Sequence, residues 1–167
     1  PVNRRCVCGA DHGKPHWAGS GVHVSVTHAG GLVALAVADV PVGLDVEPRS
    51  AADRAWQSRS LVCGPTEQCR EPGHVLRTWV AKEAVLKCTG DGLRLPMTRL
   101  RLSTAPPIRV QAWADHPELV PRLRLAELAP ADHVATVAVL IDADGSSSPT
   151  GPEGSAHELQ VRERFGD

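Results

Sequence analysis

Thr78-Trp-Val-Ala-Lys-Glu-Ala-Val-Leu-Lys-Cys-Thr-Gly-Asp-Gly-Leu93 is the stretch on which the fold turns. From Val75 to Cys88 there is neither Pro nor Gly, and Gly90 and Gly92 follow as a C-cap and a stop. The spacing predicts one helix of about four turns. At about 100° per residue, Val75, Leu76, Trp79, Val80 and Leu86 share one arc, the face expected to meet a core. Glu83 falls in the middle of that arc, with Lys87 one turn further along. A carboxylate aimed into an apolar face is costly unless it is paired or bound to a cation. The plain reading is a buried Glu83–Lys87 ion pair at i,i+4. The sharper one makes Glu83 a metal ligand or base and Lys87 a phosphate contact, with Lys82, on the flank of the arc, mattering less.

At 167 residues and 42% hydrophobic content, the chain suffices for one domain or two small lobes. A net charge of -1 argues against bulk electrostatic binding to nucleic acid or to an acidic membrane. No run reaches membrane-spanning length and no signal-peptide core is visible, so the expectation is a cytoplasmic protein with neither nucleic acid nor membrane as partner. Five cysteines in irregular spacing do not describe a disulfide framework. Of the 18 basic residues only Lys14, Lys82 and Lys87 are lysine. In so Arg-biased a chain, a compact ammonium kept in these places suggests a phosphate.

Outward from the helix, Cys6, Cys8, His12 and His16 lack zinc-knuckle spacing, and Gly13-Lys14-Pro15 reads as a rigid turn presenting one amine. Val22 to Thr27 alternates as a half-buried strand does, and Leu32 to Ala38 reads as a second, fully buried strand. Together they predict a hairpin with Thr27 and His28 at its loop end. Val42-Gly-Leu-Asp45-Val-Glu47-Pro48 is a third strand with Asp45 and Glu47 on one face, about 7 Å apart. Two such carboxylates can share a hard cation, although most Asp-x-Glu pairs simply face solvent. Gly43, on the same face, leaves room for a close approach. Ala51 to Leu61 reads as a short amphipathic helix, and Gly64 to Glu67 as another helical turn, ended by Pro72-Gly73. Leu100–Ser103, Ile108–Ala114, Arg122–Ala126 and His133–Ile141 read as strands of a mostly antiparallel sheet. A disordered Gly/Ser/Pro-rich segment and a frayed terminal helix are expected to follow.

Three carboxylates with Lys and His form a set suited to Mg²⁺-assisted attack on a phosphate ester. The sequence also resembles the surfactin-synthetase-type 4′-phosphopantetheinyl transferases. The resemblance lies in His12-Gly-Lys-Pro15 with Ser25-Val-Thr-His28, in Gly43-Leu-Asp-Val-Glu47, and in Trp79 to Lys87 with Gly90-Asp-Gly-Leu93. It implies an α+β, pseudo-symmetric two-lobe fold of antiparallel sheets packed on long helices. Residues 1–47 would be a remnant of the N-terminal lobe, 48–141 the C-terminal lobe and 142–167 a disordered tail. By the same resemblance Asp45, Glu47 and Glu83 would ligate Mg²⁺ on the coenzyme A pyrophosphate. Lys14, Pro15, Thr27 and His28 would hold the nucleotide end, and Lys87 the pyrophosphate. Glu83, directly or through a water, would deprotonate a carrier-protein serine, with Lys87 and His28 in the catalytic set. The implied partners are acyl or peptidyl carrier domains of polyketide, non-ribosomal peptide or fatty acid synthases, serving secondary metabolite biosynthesis.

One departure matters. Only 13 residues precede Lys14, with Arg4 and Arg5 the only cations among them, whereas the family carries a longer, more basic first lobe. The expectation is therefore an incomplete first lobe, an uncovered apolar sheet face and a chain that alone is either poorly soluble or self-associated and binds coenzyme A weakly. The alternatives are a non-catalytic relative that binds carrier protein or coenzyme A, and an unrelated Mg²⁺-dependent phosphohydrolase.

Overall fold

The computed structural model describes residues 2–3, 13–17, 21–103, 105–142 and 160–165, and the architecture is α+β with antiparallel sheets. Strands β1 (Val2–Asn3), β2 (His16–Trp17), β3 (His23–Ala29), β4 (Leu32–Ala38) and β5 (Val42–Pro48) come first. Helices α1 (Ala52–Gln57), α2 (Arg59–Val62) and α3 (Pro72–Thr89) follow. Then come β6 (Leu100–Leu102), β7 (Val110–Trp113), β8 (Leu123–Leu128), β9 (His133–Leu140) and β10 (Gln160–Phe165). Among the described residues they pair as sheets β1-β2-β3-β4-β10, β5-β9-β8 and β6-β7. No helix of the described residues is long and apolar enough to cross a membrane.

The central helix forms, and it ends on Gly90 in the left-handed conformation (φ 84°), whose N–H bonds Leu86 O. It begins earlier than expected. Pro72 occupies its first turn, where the missing N–H costs nothing and the fixed φ suits the helix, so Pro72 opens α3 instead of closing a preceding turn. Its buried residues include Val75, Val80, Ala81, Ala84, Val85 and Leu86, and α3 lies on one face of β5 and β9. On the other face, Val42 and Leu44 of β5 with Val137 of β9 pack on Ala34 and Ala36 of β4, while Val46 and Ala135 pack on Leu32. The β5–β9 pair is thus covered on both sides, and a fully buried Val or Leu there contributes about 1.5–3 kcal/mol.

Gly30 and Gly31 form the β3–β4 turn with positive φ at both (56° and 82°), the backbone that two-residue hairpins require. The facing of β3 is the reverse of the expected one. Ser25 and Thr27 point inward and are buried, while Val26 is 48% exposed, like Val33 on β4 at 49%. The reason lies in β5, whose edge toward β3 has no ladder partner among the described residues. Ser25 Oγ accepts the Leu44 N–H at 2.9 Å, and Lys87 Nζ donates to Leu44 O at 3.3 Å. Side chains satisfy that edge in place of a strand. The outer β3–β4 face exposes the aliphatic side chains of Val26 and Val33.

Three further expectations change. Residues 51–61 give two short helices broken at Ser58. Gly64 to Glu67 is a loop, closed by a Cys63–Cys69 disulfide that the cysteine count did not foretell. Residues 160–165, expected as a frayed helix, form β10 and hydrogen-bond the edge of β4 from Leu32 to Val37. The Cys6–His12 cluster and most of the expected disordered segment lie outside the described residues.

Candidate active site

Gly43 seats the site. A Cβ built there would lie 2.0 Å from Ala84 O and 2.3 Å from Cys88 N, so the α3 backbone rests directly on β5. The open approach expected at Gly43 is taken by the helix itself. Gly43, Asp45 and Glu47 share the strand face toward α3, so the contact carries Glu83 and Lys87 to the two carboxylates.

Asp45 is buried. Its Oδ1 receives Lys87 Nζ at 2.6 Å and Thr27 Oγ1 at 3.2 Å, while Oδ2 has no hydrogen-bond partner among the described residues. Lys87 therefore pairs with Asp45, not with Glu83 as the plain reading had it. Glu47 faces Arg54 at 3.4 Å, and Glu83 is half-buried and feels the charges of Asp45, Lys87 and Glu47. Burial pushes the Asp45 carboxyl above the usual carboxylate range, against the pull of Lys87 and Thr27. Burial and then Asp45 raise Glu47, while Arg54, Lys87 and His133 lower it. Burial, followed by Asp45 and, more weakly, Glu47, raises Glu83 against Lys87. The three carboxylates thus act on one another, but among the described residues no three His, Cys, Asp or Glu side chains stand gathered as a ready metal cage.

The donor set nevertheless fits a hard divalent cation. Three mutually repelling carboxylates and one buried, unpartnered carboxylate oxygen are what such an ion would relieve. One consequence is testable on the metal-free protein. A carboxyl raised in the folded state adds stability below its unfolded pKa of about 4.3, and that stability is lost as pH rises through the folded value. Ionised Glu83 therefore costs stability at neutral pH. Glu83→Gln should melt about 2 °C or more higher than the parent at pH 7, with the gain gone below about pH 4. A lower melting temperature for Glu83→Gln at pH 7 would show that its charge is paired and structural.

Beside the carboxylates, Gly13, Lys14, Pro15, Val26, His28 and Lys87 help to line an open cavity of 690 Å³ that continues over Gly90 to Arg94. Four of the five expected coenzyme A contacts, Lys14, Pro15, His28 and Lys87, thus share one groove. Lys14 Nζ donates to Cys88 O at 2.7 Å, at the C-terminal end of α3 where carbonyls lack helical partners. Burial lowers the Lys14 pKa. His28 stands exposed on the groove wall. Thr27 does not line the groove. It is 5% exposed and bonded to Asp45. Lys82 is fully buried in an ion pair with Glu67, away from the groove.

Two residues near the carboxylates escaped the sequence reading. Thr136 lies directly opposite Asp45 in the β5–β9 register, fully buried, with Oγ1 unpartnered among the described residues. It is the one hydroxyl within an otherwise aliphatic run, a signal without meaning until the register is known. His133 sits under the hairpin turn, its Nε2 3.3 Å from Ala29 O.

The model of the 4′-phosphopantetheinyl transferase superfamily matches residues 41–138, more than half of the chain. The chain is 34% identical over 79 residues to the 4′-phosphopantetheinyl transferase psf-1 of Bacillus pumilus, covering 42% of this chain and 33% of that protein. It thus spans about a third of the length of that relative. Among solved structures, the Helicobacter pylori holo-[acyl-carrier-protein] synthase in complex with coenzyme A is 16% identical with a TM-score of 0.49, over 60% of this chain and 99% of that one. The Plasmodium yoelii holo-ACP-synthase is 17% identical with a TM-score of 0.46, over 60% and 93%. The matched residues contain β5 and α3, the elements that carry Asp45, Glu47, Glu83 and Lys87, and this chain belongs to the 4′-phosphopantetheinyl transferase superfamily.

Proposed function

We propose that this site transfers 4′-phosphopantetheine from coenzyme A to a serine of an acyl or peptidyl carrier protein, with Mg²⁺ and release of 3′,5′-ADP. The observation that carries the reading is the position of Lys87. It lines the groove that holds Lys14 and His28, and its Nζ lies 2.6 Å from Asp45 in the carboxylate cluster. A cationic groove and an acidic cluster joined at one lysine suit a polyphosphate substrate that lies across both.

In this account Lys14, Pro15 and His28 hold the nucleotide end of coenzyme A, and Lys87 neutralises charge on the pyrophosphate. Asp45, Glu47 and Glu83 would hold Mg²⁺, which when bound offsets negative charge on the phosphates. Glu83, with its carboxyl raised by burial and neighbouring charge, is suited to accept the serine proton at neutral pH. The serine oxygen then attacks the β-phosphorus, the bond to the bridging oxygen breaks, and 3′,5′-ADP departs with that oxygen. Burial of Asp45 and the seating of α3 on Gly43 fix these groups before substrate arrives.

Lys87→Ala should lower kcat for 3′,5′-ADP release by about 10²-fold or more. Because Lys87 also neutralises the buried Asp45, the variant loses stability too, so rates are to be taken on protein shown to be folded by circular dichroism. An unchanged kcat in the folded variant would remove Lys87 from the chemistry, and with it the observation on which this function rests.

A further inference from the structure

Thr27 resembles a nucleotide contact in sequence, but its surroundings give it other work. Its side chain is buried, it is absent from the groove lining, and its hydroxyl is committed to Asp45 Oδ1 at 3.2 Å. The same oxygen receives Lys87 at 2.6 Å. Two donors arriving from two different elements, β3 and α3, fix the orientation of the carboxylate. Both bind Oδ1, so Oδ2 is the oxygen left without a partner among the described residues. Directly across the β5–β9 ladder stands a second buried oxygen without a partner among the described residues, Thr136 Oγ1. A buried carboxylate with one oxygen doubly bonded and the other unused is held in a single pose, and an unused buried oxygen is costly without function.

We propose that Thr27 is a positioning residue for Asp45: its hydroxyl, with Lys87, occupies Oδ1 and reserves Oδ2 for a divalent cation. This rests on the reading of Asp45 as a cation ligand in the transferase site. It also accounts for the inverted facing of β3. The strand turns its polar stripe inward because Ser25 satisfies the β5 backbone while Thr27 orients the β5 carboxylate. The hairpin therefore acts on the acidic cluster through hydrogen bonds, and although Val24, Ser25, Val26 and His28 of β3 line the groove, Thr27 does not.

The test compares Thr27→Val, which keeps the shape and loses the hydroxyl, with Thr27→Ser, which restores it, and with Asp45→Asn. Mn²⁺ affinity is measured on the full chain by electron paramagnetic resonance, and 3′,5′-ADP affinity by calorimetry, both without turnover. Thr27→Val should weaken Mn²⁺ binding about tenfold or more, as loss of a residue that orients a ligand does. Its 3′,5′-ADP affinity and KM for coenzyme A should stay within about twofold of the parent while kcat falls. Thr27→Ser should recover Mn²⁺ binding. Weakened 3′,5′-ADP binding with intact Mn²⁺ affinity in Thr27→Val would make Thr27 a nucleotide contact and overturn the proposal. Thr27→Ser binding Mn²⁺ no better than Thr27→Val would overturn it as well. If Asp45→Asn loses Mn²⁺ affinity and Thr27→Val does not, the positioning role alone falls. If Asp45→Asn binds Mn²⁺ like the parent, the cation reading of the site falls and the role of Thr27 with it.

Discussion

Gly43→Ala is expected to cost about 3 kcal/mol or more of folding stability, from the addition of one methyl group. The added carbon would sit 2.0 Å from Ala84 O, 2.3 Å from Cys88 N and 2.9 Å from Cys88 Cα, all backbone atoms of α3. A flexible side chain would yield to such a clash, but a helix backbone flanked by Val80, Val85 and Leu86 in the core yields only by moving as a unit. Retreat of the helix opens voids along β5 and β9 and draws Lys87 away from Asp45. The variant should therefore unfold at lower urea and bind coenzyme A more weakly. Gly73→Ala is the control. A Cβ there meets nothing within 4 Å, it lies in the first turn of α3, and the change should be neutral or stabilising by up to about 1 kcal/mol. If Gly43→Ala unfolds at the parental urea concentration, the close seating of α3 on β5 is not what holds the site together.

The second large effect lies at Lys82. All three of its donors are used, to Val62 O at 2.8 Å, Met97 O at 3.0 Å and Glu67 Oε2 at 2.5 Å. Glu67 in turn accepts the amides of Gly64 at 2.7 Å and Leu102 at 2.9 Å. The pair ties the disulfide-closed loop and the β6 edge to the middle of α3. Lys82→Ala would strand a buried carboxylate and orphan two carbonyls, at a cost of about 3–5 kcal/mol. Glu67→Gln in the Lys82→Met background removes the uncompensated charge and should recover part of that loss. Urea denaturation of the single and double variants measures both. A stable, folded Lys82→Ala with lost transferase activity would return Lys82 to the chemistry and contradict the structural role.

The contrast between the two helix lysines marks the limit of what a sequence carries. Period, caps and strand alternation are local, so α3, its Gly90 cap, β4 and the shared face of Asp45 and Glu47 were readable from residues a few positions apart. So was the grouping of Lys14, Pro15, His28 and Lys87 in one groove, through the motif resemblance. What failed depended on partners outside the element that was being read. Lys82 looks like a flank residue until Glu67, 15 positions upstream, is folded against it. The inward turn of Ser25 and Thr27 follows from the unladdered edge of β5, which no alternation pattern in β3 reveals. The Cys63–Cys69 bridge defeats counting because five irregularly spaced cysteines do not say which of them pair. β10 is a strand because β4 offers it an edge, a fact external to its own composition.

The most direct measurement is the mass of an apo carrier protein after incubation with this chain, coenzyme A and Mg²⁺. The account predicts a gain of one 4′-phosphopantetheinyl group on the acceptor serine, with an equal amount of 3′,5′-ADP released. Glu83→Gln, though more stable than the parent, should be slower by about 10²-fold or more. Coenzyme A bound with no gain in carrier mass, or an equal rate from Glu83→Gln, would contradict it and leave a relative that binds without turning over.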